Sequence, residues 1–324
     1  MTPELFRELV ADAALSPNVH NIQPTRWRLV DANTIAVLAS PDRHLAIGDP
    51  IGRDAKASHG AAIEGMIIAA SLRGIGLEQA AEQDGEVARL KDCGTVETDP
   101  LAPWLKTRRT YRGPFDKALS DKAMAAVRHL PRHEDMRIIT DRSEIERLAK
   151  LTDLATMRTF RNRAYRQELT SWMRLTPRHP DWARDGLNAQ AMNMGVPTAL
   201  AAGAVLSWPL FEGLDAVGLA GPLTGEAASI ATAAALIPFV QHVDADPIQT
   251  GRAWHRLWLE ITQAGLVASP LTVLGDDAIA NNEVLELLGL GDPLRVVTVL
   301  RVGMVDAKRL PDPARLPVDE LIDF

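Results

Sequence analysis

GAAIEGMIIAASLRG, residues 60 to 74, returns at residues 251 to 265 as GRAWHRLWLEITQAG, an offset of 191 that sets Gly60 on Gly251, Ala62 on Ala253, Ser71 on Thr262 and Gly74 on Gly265. Both copies read as helices ending at a glycine able to take the left-handed conformation of a C-terminal cap. The first copy is apolar almost all round apart from Glu64, and its Gly and Ala content lets another backbone come close, so it is expected to lie buried between two lobes. The alternative is a coincidental likeness between two amphipathic helices; a true repeat changes the fold reading, because two related units imply two cores. The totals agree: 324 residues exceed what one core usually organises, and 46% hydrophobic residues suffice for two.

Working outward, helices are expected over 3–14, 57–73, 119–129, 143–174, 251–264 and 276–288. Trp27 to Val30, the turn at Asp31 to Asn33 and Thr34 to Leu38 read as a hairpin, and Met136 to Thr140 and Leu294 to Val302 as the best later strands. Helices and strands mix without a regular βαβ rhythm, which points to an α+β fold. The Pro- and Asp-rich stretch Asp99 to Trp104 looks like the joint between lobes over 1–105 and 106–324.

A formal charge of −7 argues against nucleic acid as a partner, since binding a polyanion leans on clustered Lys and Arg. The single Cys93 cannot form an intrachain disulfide, and MTPELFRELV lacks the basic and apolar regions of a signal peptide, so a reducing cytoplasm is expected. No run of about 18 apolar residues occurs, so no membrane partner is expected.

Three stretches carry chemistry. Ser16 to Pro24, SPNVHNIQP, gathers Asn18, His20, Asn21 and Gln23 between two prolines. Amide side chains offer a donor and an acceptor each, suited to the edge of a heteroaromatic ring, or else to an Asn-rich loop that satisfies its own backbone. Thr107 to Phe115, TRRTYRGPF, sets Arg108, Arg109 and Arg112 beside the Thr110 hydroxyl. The planar fork of Arg meets phosphate oxygens two at a time, so a phosphate is the natural occupant, with a solvated basic turn as the alternative. Arg53, Lys56 and His59 precede the buried helix and are expected to pin that loop through salt bridges. Met157, Met173, Met192 and Met194 with Trp172 and Trp182 read as packing in a helical segment, or as an apolar lid. No G-x-G-x-x-G between strand and helix, P-loop or G-x-S-x-G elbow is present. His129 and His133 have helical spacing, but Pro131 between them breaks the helix, so no metal is expected.

SPNVHNIQP followed by RWRLV resembles the S-S-x-N-x-Q-P-W signature of the FMN-dependent nitroreductases, and RRTYRGPF resembles the R-R-S-x-R motif with which that family begins. The order is inverted here. In that family the FMN site takes its arginine motif from one subunit and its amide loop from the other. This chain lacks the arginine motif in its first half and the N-x-Q-P loop in its second, so one complementary set remains. That pattern, with PDRHLAIGDPIGRDAKASHGAA, is similar to the fused, two-lobed Acg-type nitroreductases, in which one chain mimics the family's dimer and each lobe is an antiparallel-rich sheet with flanking helices. The resemblance implies that Arg108, Thr110 and Arg112, with Arg109 beside them, meet the FMN phosphate and ribityl chain. It implies that Pro17, Asn18, Val19, Asn21 and Gln23 lie along the flavin, and that Lys308, Arg309 or, preferably, Arg315 supplies a late basic residue. Two departures stand out: Asn18-Val19 replaces the Ser-Ser pair, and Thr25 the Trp after Pro24. The implied activity is NAD(P)H-driven, ping-pong reduction of a small electron acceptor such as a nitroaromatic or quinone through flavin N5, with no catalytic side chain. The alternative is a protein that stores or sequesters FMN under an occluding lid. A pseudo-dimeric chain of this kind is expected to be a monomer or a homodimer.

Overall fold

A computed structural model describes residues 1–323. The chain opens with helix α1 (Pro3–Ala13), capped by the Thr2 hydroxyl, which accepts from Leu5 N–H, and started by Pro3, whose missing N–H is no loss at that position. Strands β1 (Thr25–Asp31) and β2 (Thr34–Ala39) form the expected hairpin, and helix α2 (Arg53–Ser71) follows. Strands β3 (Ile75–Ala80) and β4 (Ala88–Thr95) complete an antiparallel sheet in the order β1-β2-β4-β3.

The later part begins with α3 (Ser120–Arg128), α4 (Arg142–Phe160) and α5 (Arg163–Ser171). Two short parallel strands, β5 (Met173–Arg174) and β6 (Leu187–Asn188), precede the small helices α6 (Val196–Val205), α7 (Leu210–Ala216), α8 (Ala220–Thr224) and α9 (Ala227–Ile230). Strand β7 (Ala235–His242), helix α10 (Pro247–Gln263), strand β8 (Val267–Leu271), helices α11 (Val273–Asp276) and α12 (Ala278–Leu287) and strand β9 (Leu294–Gly303) build the second sheet, antiparallel in the order β7-β9-β8. The α+β expectation is borne out.

Helices α2 and α10 are the two copies of the repeat, and they cross each other. A methyl on Gly60 would collide with the Ile248 carbonyl oxygen, and a methyl on Gly251 with the Ala57 carbonyl oxygen. Further along, Arg252 Nε donates to Glu64 at 2.7 Å and the His255 ring meets the Ala61 carbonyl at 2.8 Å. The repeat offset carries Ala57 to Ile248, Gly60 to Gly251, Ala61 to Arg252 and Glu64 to His255, so each contact has its mate across the crossing. This is the pattern of a two-fold, isologous interface, realised inside one polypeptide. Glu64, the one acidic residue in the apolar copy, is buried and held by both Arg252 and Arg256, which satisfies the pairing that a buried carboxylate requires.

Several expectations are corrected. The helix expected over 143–174 is two helices, because the Asn162 side chain accepts from Ala164 N–H and Tyr165 N–H and so starts α5 afresh. Met136 to Thr140 is not a strand: it touches β7 only through isolated bridges at Met136 and Ile139. The end of the chain returns to the first sheet, where Ile322 forms a parallel bridge with Trp27, and Leu316, Leu321 and Ile322 join the first lobe's core. Among the described residues no helix is long and apolar enough to cross a membrane.

Candidate functional site

A cleft of about 750 Å³ lies beside β8 and α10, and the arginine motif, the amide loop and the returning tail all line it. The motif is laid along the edge of β8, where Thr110 bridges to Ala268 and Tyr111 N–H donates to the Ala268 carbonyl at 3.0 Å. Beneath it, Arg301 of β9 is 2% exposed and donates to the carbonyls of Tyr111 and Gly113 at 3.2 and 3.1 Å. Burial pushes that guanidinium down to about 10. Arg301 thus fixes the curvature of the motif, a role that sequence reasoning missed; the only available signal was an arginine inside the otherwise apolar run LRVVTVLRV.

Arg108, Arg109, Arg112 and Arg315 all reach this cleft, and among the described residues none of the four forms an ion pair with a carboxylate. Arg315 is the tail residue in place here, while Arg309 is engaged with Asp116 and the Pro114 carbonyl. Arg315 spreads its donors over backbone and amide oxygens, reaching Asn21 Oδ1 at 3.0 Å, the Ala314 carbonyl at 2.7 Å and the Leu15 carbonyl at 3.1 Å. Arg112 Nη1 donates to the Ala191 carbonyl at 3.1 Å. Arg108 stands apart: it is 5% exposed, donates once, to Leu15 at 2.7 Å, and leaves Nε and Nη1 buried without a partner. Its guanidinium lies 4.7 Å from the ring centroid of Trp258. Burial, and then the repulsion of Arg315 and Arg109, push Arg108 down to about 9. Asp312 also lines the cleft but, among the described residues, pairs with none of the four arginines, and buried, unpaired N–H groups in such a cluster fit a dianionic phosphate.

The amide loop is built differently from its reading as a ring-facing platform. Asn18 Oδ1 accepts from Gln23 N–H at 2.9 Å, and Asn21 Nδ2 donates to the carbonyls of Gly186 and Ala314 at 3.2 and 3.1 Å. Gln23 Nε2 donates to the Arg184 carbonyl at 2.7 Å while its oxygen accepts from Leu316 N–H at 2.9 Å. His20, Asn21 and Gln23 adopt φ of 44°, 55° and 52°, a left-handed run that Asn and His tolerate better than most residues. The amides therefore hold the loop to the tail and to the segment after α5. Pro17, Asn18 and Asn21 line the cleft, Val19 lines an adjoining chamber, and Gln23 lines neither.

That second chamber, about 870 Å³, shares Asn18, Arg112, Leu187, Trp254 and Pro270 with the first and adds Val19, His20 and Thr298. Of eight buried side-chain atoms without a partner among the described residues, six belong to residues of the two chambers: two on Arg108 and one each on His20, Trp254, Trp258 and Thr298. Unmet hydrogen-bonding capacity is thus concentrated where a polar ligand would sit.

The expectation of salt bridges at Arg53, Lys56 and His59 is not met: none of the three is ion-paired among the described residues, and His59 instead meets Thr25 Oγ1 at 2.9 Å in the interior. Met157, Met173 and Met192 pack with Leu169, Leu187 and Phe211, so the packing reading holds for them. The same segment also supplies Gly186, Leu187 and Ala191 to the cleft wall.

Burial holds His59 down to about 4 and His255, which also faces Arg108, down to about 3, against an ordinary 6.5. Below pH 6.5 the unfolded chain takes up protons that these two histidines refuse in the folded chain, so their contribution to stability falls as pH drops from 6.5 toward 4, by up to about 1.4 kcal/mol per pH unit for each. Burial raises the Asp54 and Asp276 carboxyls, which oppose this trend. The urea midpoint of His255→Asn is therefore expected to rise relative to the parent's as pH falls from 6.5 to 4; a constant difference between the two contradicts the assignment.

No family model matches the chain. Two curated Mycobacterium tuberculosis proteins, from strains CDC 1551 / Oshkosh and H37Rv and each provisionally named an NAD(P)H nitroreductase, are 24% identical to it over an alignment of 338 positions, covering 99% of this chain and 92% of theirs. Among solved structures, the FMN-dependent nitroreductase NfnB from Mycobacterium smegmatis in complex with NADPH aligns at 15% identity over 68% of this chain and 96% of its own, with a TM-score of 0.39. The FMN and NADPH-dependent nitroreductase NfnB from Sphigopyxis sp. strain HMH aligns at 20% identity over 70% of this chain and 99% of its own, with a TM-score of 0.36. The full-length match bears out the resemblance to the nitroreductases, and TM-scores this low let the solved structures add nothing to it.

Proposed function

We propose that this chain is an FMN-dependent NAD(P)H oxidoreductase of the fused, two-lobed Acg type, acting on a small electron acceptor such as a nitroaromatic or quinone. The observation that carries the reading is Arg108, whose Nε and Nη1 are buried without a partner in the wall of a cleft lined by three further arginines, none of the four paired to a carboxylate among the described residues. FMN, when bound, would supply the hydride chemistry that no side chain here offers. Arg108, with Arg109, Arg112 and Arg315, would bind its phosphate. Thr110 and Asn18 would orient the remainder from opposite lobes. Trp254 and Trp258, with ring centroids 5.2 Å apart, and the wall from Gly186 to Ala191 would keep water from the cleft. The curated relatives' provisional names support the use of NAD(P)H as reductant.

The test is an absorption spectrum of the purified protein followed by anaerobic stopped-flow mixing with NADPH and then a quinone. The expected result is one flavin per chain that bleaches within seconds and recovers its colour on adding the quinone. A colourless protein that takes up no added FMN contradicts the reading. A second reading, FMN storage, draws on the segment after α5, whose Gly186, Leu187 and Ala191 wall the cleft; it requires a yellow protein that NADPH bleaches slowly or not at all.

A further inference from the structure

We propose that His20 and Thr298 form a two-sided hydrogen-bonding clamp in the second chamber that takes an oxygen of the electron acceptor and so decides which acceptors are used. The proposal rests on the preceding one, in that it assigns the arginine-lined chamber to the nucleotide and leaves the adjoining one to its reaction partner. The two residues come from opposite lobes, His20 from the amide loop and Thr298 from β9, and both line that chamber and not the arginine-lined one. His20 Nδ1 and Thr298 Oγ1 are each buried with no hydrogen-bond partner. A lone buried polar atom of this kind costs about 1–3 kcal/mol, a cost removed when a ligand atom pairs with it.

The local backbone shows that both positions are held. His20 sits at φ 44°, next to Asn21 at 55°, a conformation that costs a non-glycine residue energy and persists where its surroundings enforce it. The surroundings are visible: Val19 N–H donates to Ser58 Oγ on one side at 3.0 Å, and Asn21 is tied to the tail on the other. Thr298 is 2% exposed and pairs with Phe239 at the register shift between β7 and β9, an irregularity of the sort that re-aims a side chain toward a site. Burial, with Arg112 next, holds His20 down to about 4, so its ring is neutral near pH 7 and acts as a hydrogen-bonding group and not as an acid. With the imidazole proton on Nδ1, a neutral His20 and the Thr298 hydroxyl, both on the wall of one chamber, would each offer a donor to a carbonyl or nitro oxygen, which accepts from both. They offer nothing to an acceptor that needs no such contact.

The test uses the full chain with its flavin and compares p-benzoquinone with ferricyanide as acceptors. Thr298→Val keeps the shape of the side chain and removes the hydroxyl. His20→Asn keeps a residue that tolerates the left-handed backbone but shortens its reach. Each is expected to raise KM for the quinone roughly tenfold while leaving KM for ferricyanide, flavin content and the flavin absorption spectrum unchanged. Thr298→Val is also expected to melt no lower than the parent, since it deletes an unsatisfied buried hydroxyl. An unchanged quinone KM in both variants overturns the proposal. So does a shifted flavin spectrum or weakened FMN binding with the quinone KM intact, which would assign the pair to the cofactor. A parent protein that binds no flavin is a different result, and it overturns the functional reading itself.

Discussion

Arg108→Met is expected to weaken FMN binding by two orders of magnitude or more and, at the same time, to raise the melting temperature of the flavin-free protein. The two effects share one cause. Arg108 is buried, its Nε and Nη1 have no partner, and burial, then repulsion from Arg315 and Arg109, push its guanidinium down to about 9. In the flavin-free protein that is an uncompensated buried cation, and removing it relieves both desolvation and repulsion. Methionine keeps the length of the side chain and its contact with Trp258. The Leu15 carbonyl that Arg108 serves is not orphaned, because Arg315 Nη2 also donates to it at 3.1 Å. With FMN present the sign reverses. Two charge-assisted bonds to phosphate, at about 1.5–3 kcal/mol each, correspond to roughly a hundredfold or more in affinity. Thermal melts of the flavin-free variant and a fluorescence titration with FMN read the two halves separately. A variant that melts lower and binds FMN within threefold of the parent contradicts this account of the site.

The second large effect is structural. Gly251→Ala replaces a helix-interior glycine by the best helix former, worth about 1 kcal/mol in favour of α10, yet it is expected to destabilise the protein by at least about 2 kcal/mol and to release FMN. The added methyl meets the Ala57 carbonyl, a backbone atom inside α2 that cannot turn aside. Ala57 and Trp254 both line the second chamber, so any slip of the crossing reaches the site. Gly60→Ala is expected to do the same against Ile248, since the two positions are mates in the pseudo-two-fold arrangement. Gly213→Ala in α7, where the new methyl meets no atom within 4 Å, provides the contrast: neutral, or stabilising by up to about 1 kcal/mol. Denaturant midpoints for the three variants decide the matter. Equal behaviour of Gly251→Ala and Gly213→Ala sinks the close-crossing argument.

Much of this molecule is legible in its sequence because the informative features are local or repeated. The glycines shared by the two helix copies point to a close approach of backbones, and RRTYR raises a phosphate site beside the alternative of a solvated basic turn. The β1-β2 hairpin follows from its alternation and turn. What could not be read depends on partners far away in the chain. The amides of Asn21 and Gln23 suggest a platform for a ring, yet they bond to Ala314 and Leu316, nearly the whole chain distant, and nothing near residue 20 signals that. Arg301 supports the arginine turn from within a strand whose pattern looks like simple core. The break between α4 and α5 was marked by Asn162, a good N-cap residue in a run that otherwise reads as helical. Met136 to Thr140 has strand composition but makes only isolated bridges with β7.

The central claim is that one cleft, closed by two lobes of a single chain, grips a phosphate. Its most direct test is a comparison of FMN with riboflavin, which differ by that phosphate alone, in titrations of the flavin-free protein. The account predicts that FMN binds about a hundredfold more tightly, at one molecule per chain, and that Arg108→Met removes most of the difference. Equal affinity for the two flavins, or binding of neither, would contradict it.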